Sequence, residues 1–237
     1  MEGGIFIFGA LFIGLVVAAI VWAWRAADQR RKALAAVAAE MGLSFSAEDP
    51  FDLPERFEHL QVIDQGHDQE ASNVLHGVWD GRRVTAFDYE YKTGSGKDED
   101  TNSLSVAVIT CGCRFPGLFI RPEGFLDKVA GVLGGEDIDF ESHEFSKKFY
   151  VNGPDRKFAY DVINGQMMEY LLRCEGWQIE LSGSEAVIWS DQDWEPEGFR
   201  AALATLGGFL DRVPRFAWKN LGEDREAARS SSAASGS

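Results

Sequence analysis

The sequence predicts an α+β protein: an N-terminal single transmembrane helix, then one domain with an antiparallel sheet and several packing helices. Three observations predict it. Residues 5–24, IFIFGALFIGLVVAAIVWAW, carry no charge, and as an α-helix they would span about 30 Å, the hydrocarbon thickness of a bilayer. Residues 73–79 and 82–91 alternate apolar and polar positions around Asp80-Gly81, a dipeptide suited to a type I′ turn. Downstream, strand-like and helix-like stretches follow one another without a βαβ rhythm, which disfavours a doubly wound parallel sheet.

The first segment, from Ile5, is apolar on every face. A core helix of that length normally keeps a polar stripe, whereas in lipid an unbroken helix satisfies its own backbone groups. Trp22 and Trp24 stand at its carboxyl end, where amphipathic rings favour the headgroup level. A cleaved signal peptide would want a basic start and a shorter apolar run; this chain starts Met1-Glu2-Gly3-Gly4. Arg25, Arg30, Arg31 and Lys32 follow the apolar run and only Glu2 precedes it. The positive-inside rule then places the N-terminus outside and the C-terminal domain in the cytoplasm, a single pass through the cell inner membrane. The basic collar is expected to meet anionic headgroups of the lipid bilayer. Ala10, Gly14 and Ala18 lie four apart and share a helix face, a stripe through which two such helices self-associate, although small residues are common in spanning helices anyway.

The chain has 237 residues and a formal net charge of −15. One anchor and one soluble domain of roughly 200 residues fit usual domain sizes. The acidic balance argues against nucleic acid, whose phosphates need a basic surface, and confines docking on anionic lipid to the collar. Cys111, Cys113 and Cys174 are an odd, sparse set; they make no disulfide framework and suit a reducing cytoplasm.

The expected organisation is a short flank at 1–4, the transmembrane helix at 5–24, a basic juxtamembrane amphipathic helix at 25–42, the soluble domain at 43–222 and a disordered tail at 223–237. Leu34, Val37, Ala38 and Met41 recur at helical spacing, and Gly42 is a natural stop. That stripe is expected to pack on the soluble domain, the alternative being a sister copy of the chain. Residues 46–68 are turn-rich, with Phe51, Leu53 and Phe57 as core anchors. In the hairpin's second strand Thr85, Phe87, Tyr89 and Tyr91 share a face, and that aromatic face is the one expected inside. A third strand covers 104–109 and a short fourth 117–121; a helix covers 124–133 and ends at Gly134-Gly135. Residues 149–152 read as a strand, and 156–174 as helix with a break near Gly165. A second hairpin is expected at 177–181 and 186–189 around Ser182-Gly183-Ser184. The last helix, 195–213, has Pro196 in its first turn and Leu203, Leu206, Phe209, Leu210 and Val213 inward. Antiparallel strands closed by a C-terminal helix also loosely resemble the pleckstrin-homology-like barrel, a minority option that the interposed helices count against.

Chemistry is sparse. Asp137, Asp139 and Glu141 alternate, and on a strand they would share a face and offer oxygen ligands to a divalent metal. A solvated acidic face over the core-facing pair Ile138 and Phe140 explains the same pattern. Cys111-Gly112-Cys113 lacks the second ligand pair of a structural zinc site. His76 and His143 have no nucleophile placed beside them by the sequence. There is no Gly-x-Ser-x-Gly, no His-Glu-x-x-His and no phosphate loop. No catalytic residue and no cofactor other than that divalent metal is expected.

In Phe87-Asp88-Tyr89, in Thr-Gly-Ser-Gly at 93–96, in Leu118-Phe119-Ile120-Arg121-Pro122-Glu123 and above all in residues 137–149, DIDFESHEFSKKF, the chain resembles a family of uncharacterised bacterial proteins with one N-terminal transmembrane helix and a soluble α+β domain. The resemblance covers most of residues 30–213. It implies a bacterial inner-membrane setting and carries over no catalytic residue. The expected role is therefore a cytoplasm-facing binding or scaffolding module for a protein partner, the alternative being a membrane-tethered enzyme with a carboxylate metal site at Asp137, Asp139 and Glu141.

Overall fold

The chain begins with α1 (Glu2–Glu40), one unbroken helix of 39 residues. The computed structural model describes residues 2–123, 138–174 and 176–222, with side chains from residue 12 onward. Among these, α1 is the helix long and apolar enough to cross a membrane, and the protein buries none of its apolar window. Phe12, Ile13, Leu15, Trp22 and Trp24 are each more than 60% exposed; water is a costly surrounding for so much contiguous apolar surface. The second half of α1 behaves differently. Leu34, Val37, Ala38 and Met41 are buried in the domain core, as their spacing predicts.

The domain is built on a six-stranded antiparallel sheet: β1 (Ser44–Glu48), β2 (His67–Trp79), β3 (Arg82–Thr93), β4 (Asp100–Pro122), β5 (Phe149–Asn152) and β6 (Gln178–Trp189). The order runs β1-β2-β3-β4-β5, with β6 also on β4. Residues 106–110 of β4 pair with both β3 and β6, and residues 119–120 with both β5 and β6. β3 and β5 therefore take successive stretches of β4, and β6 follows it along the other edge. The β2–β3 turn is the expected one: Asp80 and Gly81 have φ of 49° and 73°, the left-handed pair of a type I′ turn.

Three strands are longer than the sequence suggests, and the first of them, β2, starts at His67 and not at residue 73. The third and fourth expected strands are one, β4, which runs through Cys111-Gly112-Cys113 with irregular pairing. The expected second hairpin is also a single strand. Both halves of β6 pair with β4, and Ser182-Gly183-Ser184 is a bend with Gly183 at φ 56°. At this bend the β4–β6 ribbon curls back on itself. Phe119 and Trp189 belong to opposite ends of the ribbon, yet their ring centroids are 5.7 Å apart. Among the described residues no pairing of β1 with β5 or β6 closes a barrel.

Both faces of the sheet are buried, not the aromatic one alone. Val84, Ala86, Ala107, Ile109 and Ile188 face a core covered by α1, by α4 (Arg156–Val162), by α5 (Gly165–Leu171) and by α6 (Pro196–Arg212). Phe87, Tyr89, Val106, Val108 and Trp189 face a second core inside the curl, plugged by α2 (Leu53–Arg56) and by Phe57, Leu60, Val62 and Ile63. Phe51, expected as an anchor, is 36% exposed and meets His76 edge-on instead. α4 and α5 are separated by Asn164, whose side chain accepts from the amides of Gln166 and Met167; the break falls at this cap, one residue before Gly165. α6 matches the prediction, with Leu203, Leu206, Phe209, Leu210 and Val213 all buried. Helical backbone resumes at 215–222. The helix expected at 124–133 and the tail at 223–237 lie outside the described residues.

Candidate functional site

The place where the long apolar helix α1 enters the domain is the most constructed polar site among the described residues. Arg30 precedes Leu34 by one helical turn and so shares its inward face. Its guanidinium donates twice to Asp88 on β3, Nε to Oδ2 at 3.0 Å and Nη2 to Oδ1 at 2.8 Å. Two more donors converge on the same carboxylate: the Asn73 amide at 2.8 Å and the Ser105 hydroxyl at 2.7 Å. Asn73 reaches it because it sits at a bulge in β2 with φ of 52°, which turns its side chain out of the ordinary alternation. Ser105 in turn accepts from the Trp194 amide at 2.9 Å. Asp88 is 8% exposed, and four charge-assisted bonds of this kind meet the cost of burying it.

Arg30, expected in the lipid-facing collar, instead turns its charge into the domain. Arg25, Arg31 and Lys32 remain exposed, with Lys32 bonded to Asp28 on the same helix at 2.6 Å. Further along α1, Glu40 pairs with Arg200 of α6 at 2.6 Å. Trp22 and Trp24 project from the helix, and so do Gly14 and Ala18, with no atom within 4 Å of a Cβ built on Gly14. The side chains of Ile5 and Ala10 lie outside the described residues.

A second polar system holds the plug of the inner core. Gln61, Gln65 and Gln69 are spaced four apart, and all three contribute hydrogen bonds. The Gln65 amide donates to the Gln61 carbonyl, and the Gln69 amide donates to the carbonyls of Ile63 and Gln65. The Tyr91 hydroxyl donates to Gln65 at 2.8 Å, and the Tyr89 hydroxyl to the Ile63 carbonyl at 2.7 Å. Beneath them Glu180 of β6, 3% exposed, accepts from the Gln61 amide with both oxygens. Burial pushes its carboxyl up to about 8, against the pull of backbone N–H groups from Gln61 and Val62. The Gln61 Oε1 is buried without a partner among the described residues. Nearby, Glu185 accepts from the Ser184 hydroxyl at 2.8 Å and lies 3.1 Å from His59 Nε2. The carboxylate stands between serine and histidine, so the histidine is not placed to take the serine proton, as nucleophilic catalysis requires.

The candidate metal residues are not gathered into a site. Asp139 and Glu141 lie in irregular backbone between Ile138 and α3 (His143–Lys148), not on a strand, and both are exposed. Asp137 lies outside the described residues. No group of three or more His, Cys, Asp or Glu suited to a metal is present among the described residues. Ile138 is buried, as the alternating pattern predicts, and Phe140 packs edge-on against Phe145. Cys111, Cys113 and Cys174 form no disulfide, and burial, with Cys113 alongside, pushes the Cys111 thiol up to about 12, away from reactive thiolate.

Sequence reasoning missed Asp88, Asn73, Ser105 and Glu180. One signal was available: Arg30 falls on the inward stripe of α1, and a cation there calls for a buried anion. Which anion is a matter of pairing between residues 58 positions apart.

No family model matches the chain, and no curated protein matches it. Among solved structures, the crystal structure of the mycobacterial trehalose monomycolate transport factor A is similar to it, with a TM-score of 0.53 at 14% identity, over 80% of this chain and 97% of that one. At that identity the likeness shows a shared α+β fold.

Proposed function

We propose that the chain is a single-pass protein of a bacterial inner membrane whose cytoplasm-facing domain is a non-enzymatic binding or scaffolding module. The observation that carries this reading is the junction. One helix runs from the exposed apolar segment into the domain core, and the bidentate pair of Arg30 and Asp88 fixes it there. A helix fixed into the core in this way holds the domain's surface at a set height above the bilayer, which suits a module that presents that surface to a partner. Arg25, Arg31 and Lys32, exposed at the end of the apolar run, support the cytoplasmic orientation. The similar structure is named a transport factor, which suits an accessory role of this kind.

The test combines extraction and topology. Full-length protein is expected to stay with the membrane pellet after alkaline carbonate, and a reporter fused after Gly222 is expected to be active in the cytoplasm. Release by carbonate, or activity confined to the periplasm, would overturn the reading.

A further inference from the structure

At the end of the domain away from Arg30, a groove of about 500 Å³ opens between the β2–β3 turn, β4 and the end of α6. Its floor is apolar, formed by Ile109, Leu210 and Val213 with Trp218. Three arginines line it: Arg82, Arg83 and Arg215. Arg82 is committed to Asp211 at 2.6 Å and to Asp80 at 3.6 Å. Arg83 and Arg215 are exposed and have no ion-pair partner among the described residues. A concentration of unneutralised arginine is notable in a chain of formal net charge −15, because most of this surface repels anions and the groove attracts them.

We infer that this groove is a docking site for an acidic segment of another protein, with carboxylates on Arg83 and Arg215 and an apolar side chain against Trp218, the partly exposed member of the floor. Arginine forks pair with carboxylates bidentately, and an apolar floor beside them adds the desolvated anchor that a docking contact needs. Position argues against a lipid headgroup. α1 rises about 24 Å from Trp24 to its end at Glu40, Leu43 just beyond it lies against Gly77, and Gly77 pairs with Val84 beside the turn that borders the groove. The groove is thus carried far from the bilayer and toward whatever the module presents itself to. This inference rests on the binding-module reading above and names the chemistry of its partner.

The test uses the full chain in detergent, titrated calorimetrically with the synthetic peptide EDELFDED and with its charge-reversed counterpart KRKLFKRK. Micromolar binding of the acidic peptide is expected, weakening with salt and falling about tenfold or more in the double variant Arg83→Glu/Arg215→Glu; the basic peptide is expected not to bind. Absent binding, equal binding by the double variant, or equal binding of both peptides would overturn the inference. So would phosphatidylglycerol vesicles displacing the peptide, which would make the groove a lipid site, or a change of oligomeric state in the double variant, which would make it a contact between copies. Both arginines are exposed, so the double variant should keep the parent melting temperature and its retention after carbonate. Loss of retention in the parent would instead be a failure of the anchored-module reading.

Discussion

Glu180 shows how a side chain can look ordinary in sequence and be extreme in place. In Trp177-Gln178-Ile179-Glu180 the alternation reads as a half-buried strand with its polar residues in water. In an open sheet it would be so. Here the ribbon curls, the Gln178 and Glu180 face turns inward, and both are 3% exposed or less. The sequence carries the alternation but not the curl, so the burial was not legible. A consequence follows for pH. Burial pushes the native carboxyl up to about 8, against about 4.3 for a glutamate in water. Between those values the native protein holds a proton that the unfolded chain has released, so this group's contribution is full below the lower value and is lost as pH rises through the upper one. Within that window each pH unit removes up to about 1.4 kcal/mol. Glu180→Gln is expected to flatten the slope: urea midpoints at pH 5, 6, 7 and 8 should fall more steeply for the parent than for the variant. Parallel slopes would show that Glu180 does not titrate in this range.

At the scale of elements, local patterns are legible in the sequence and pairings with a distant partner are not. The type I′ turn at Asp80-Gly81, the stripe of Leu34, Val37, Ala38 and Met41, and the proline-started α6 follow from spacing and turn chemistry alone. Ser182-Gly183-Ser184 is different. The same three residues serve a hairpin turn or a bend within one strand, and the choice is made by β4, which pairs with both sides of Gly183. Cys111-Gly112-Cys113 interrupts the alternation and resembles a strand end, yet β4 continues because β6 holds both its halves. The contact between α1 and β3 is also nonlocal, and it is measurable. Asp88→Asn leaves Arg30 with a neutral partner in a site that is 27% exposed at Arg30 and 10% at Asp88. Breaking a buried pair typically costs about 3–5 kcal/mol, and the open side of Arg30 moderates that to about 2 kcal/mol. In a double-mutant cycle Arg30→Gln and Asp88→Asn should be clearly less than additive by chemical denaturation. Additive losses would mean that the pair does not couple the helix to the sheet.

The whole molecule is organised by one helix with two surroundings. Among its described side chains, those of the apolar window have no protein packed over them, and those of the last turns are core. These two halves predict opposite results from truncation. Removing residues 2–25 takes away the exposed apolar surface and leaves Arg30, Leu34, Val37, Ala38 and Met41 in place. The remainder is expected to be monodisperse without detergent and to melt cooperatively. Removing residues 2–42 strips four buried apolar side chains from the sheet face formed by Leu75, Val84 and Ala86 and leaves Asp88 without its cation. A buried apolar side chain is worth about 1.5–3 kcal/mol, so the loss approaches the roughly 5–15 kcal/mol that holds a typical domain folded. The shorter protein should therefore aggregate or lose its cooperative transition by circular dichroism and gel filtration. A truncated 43–222 that stays monomeric with an unchanged melting temperature would show that the domain closes without α1. The helix would then be a tether on which the domain is free to turn, and the fixed presentation proposed for the module would have no mechanical basis.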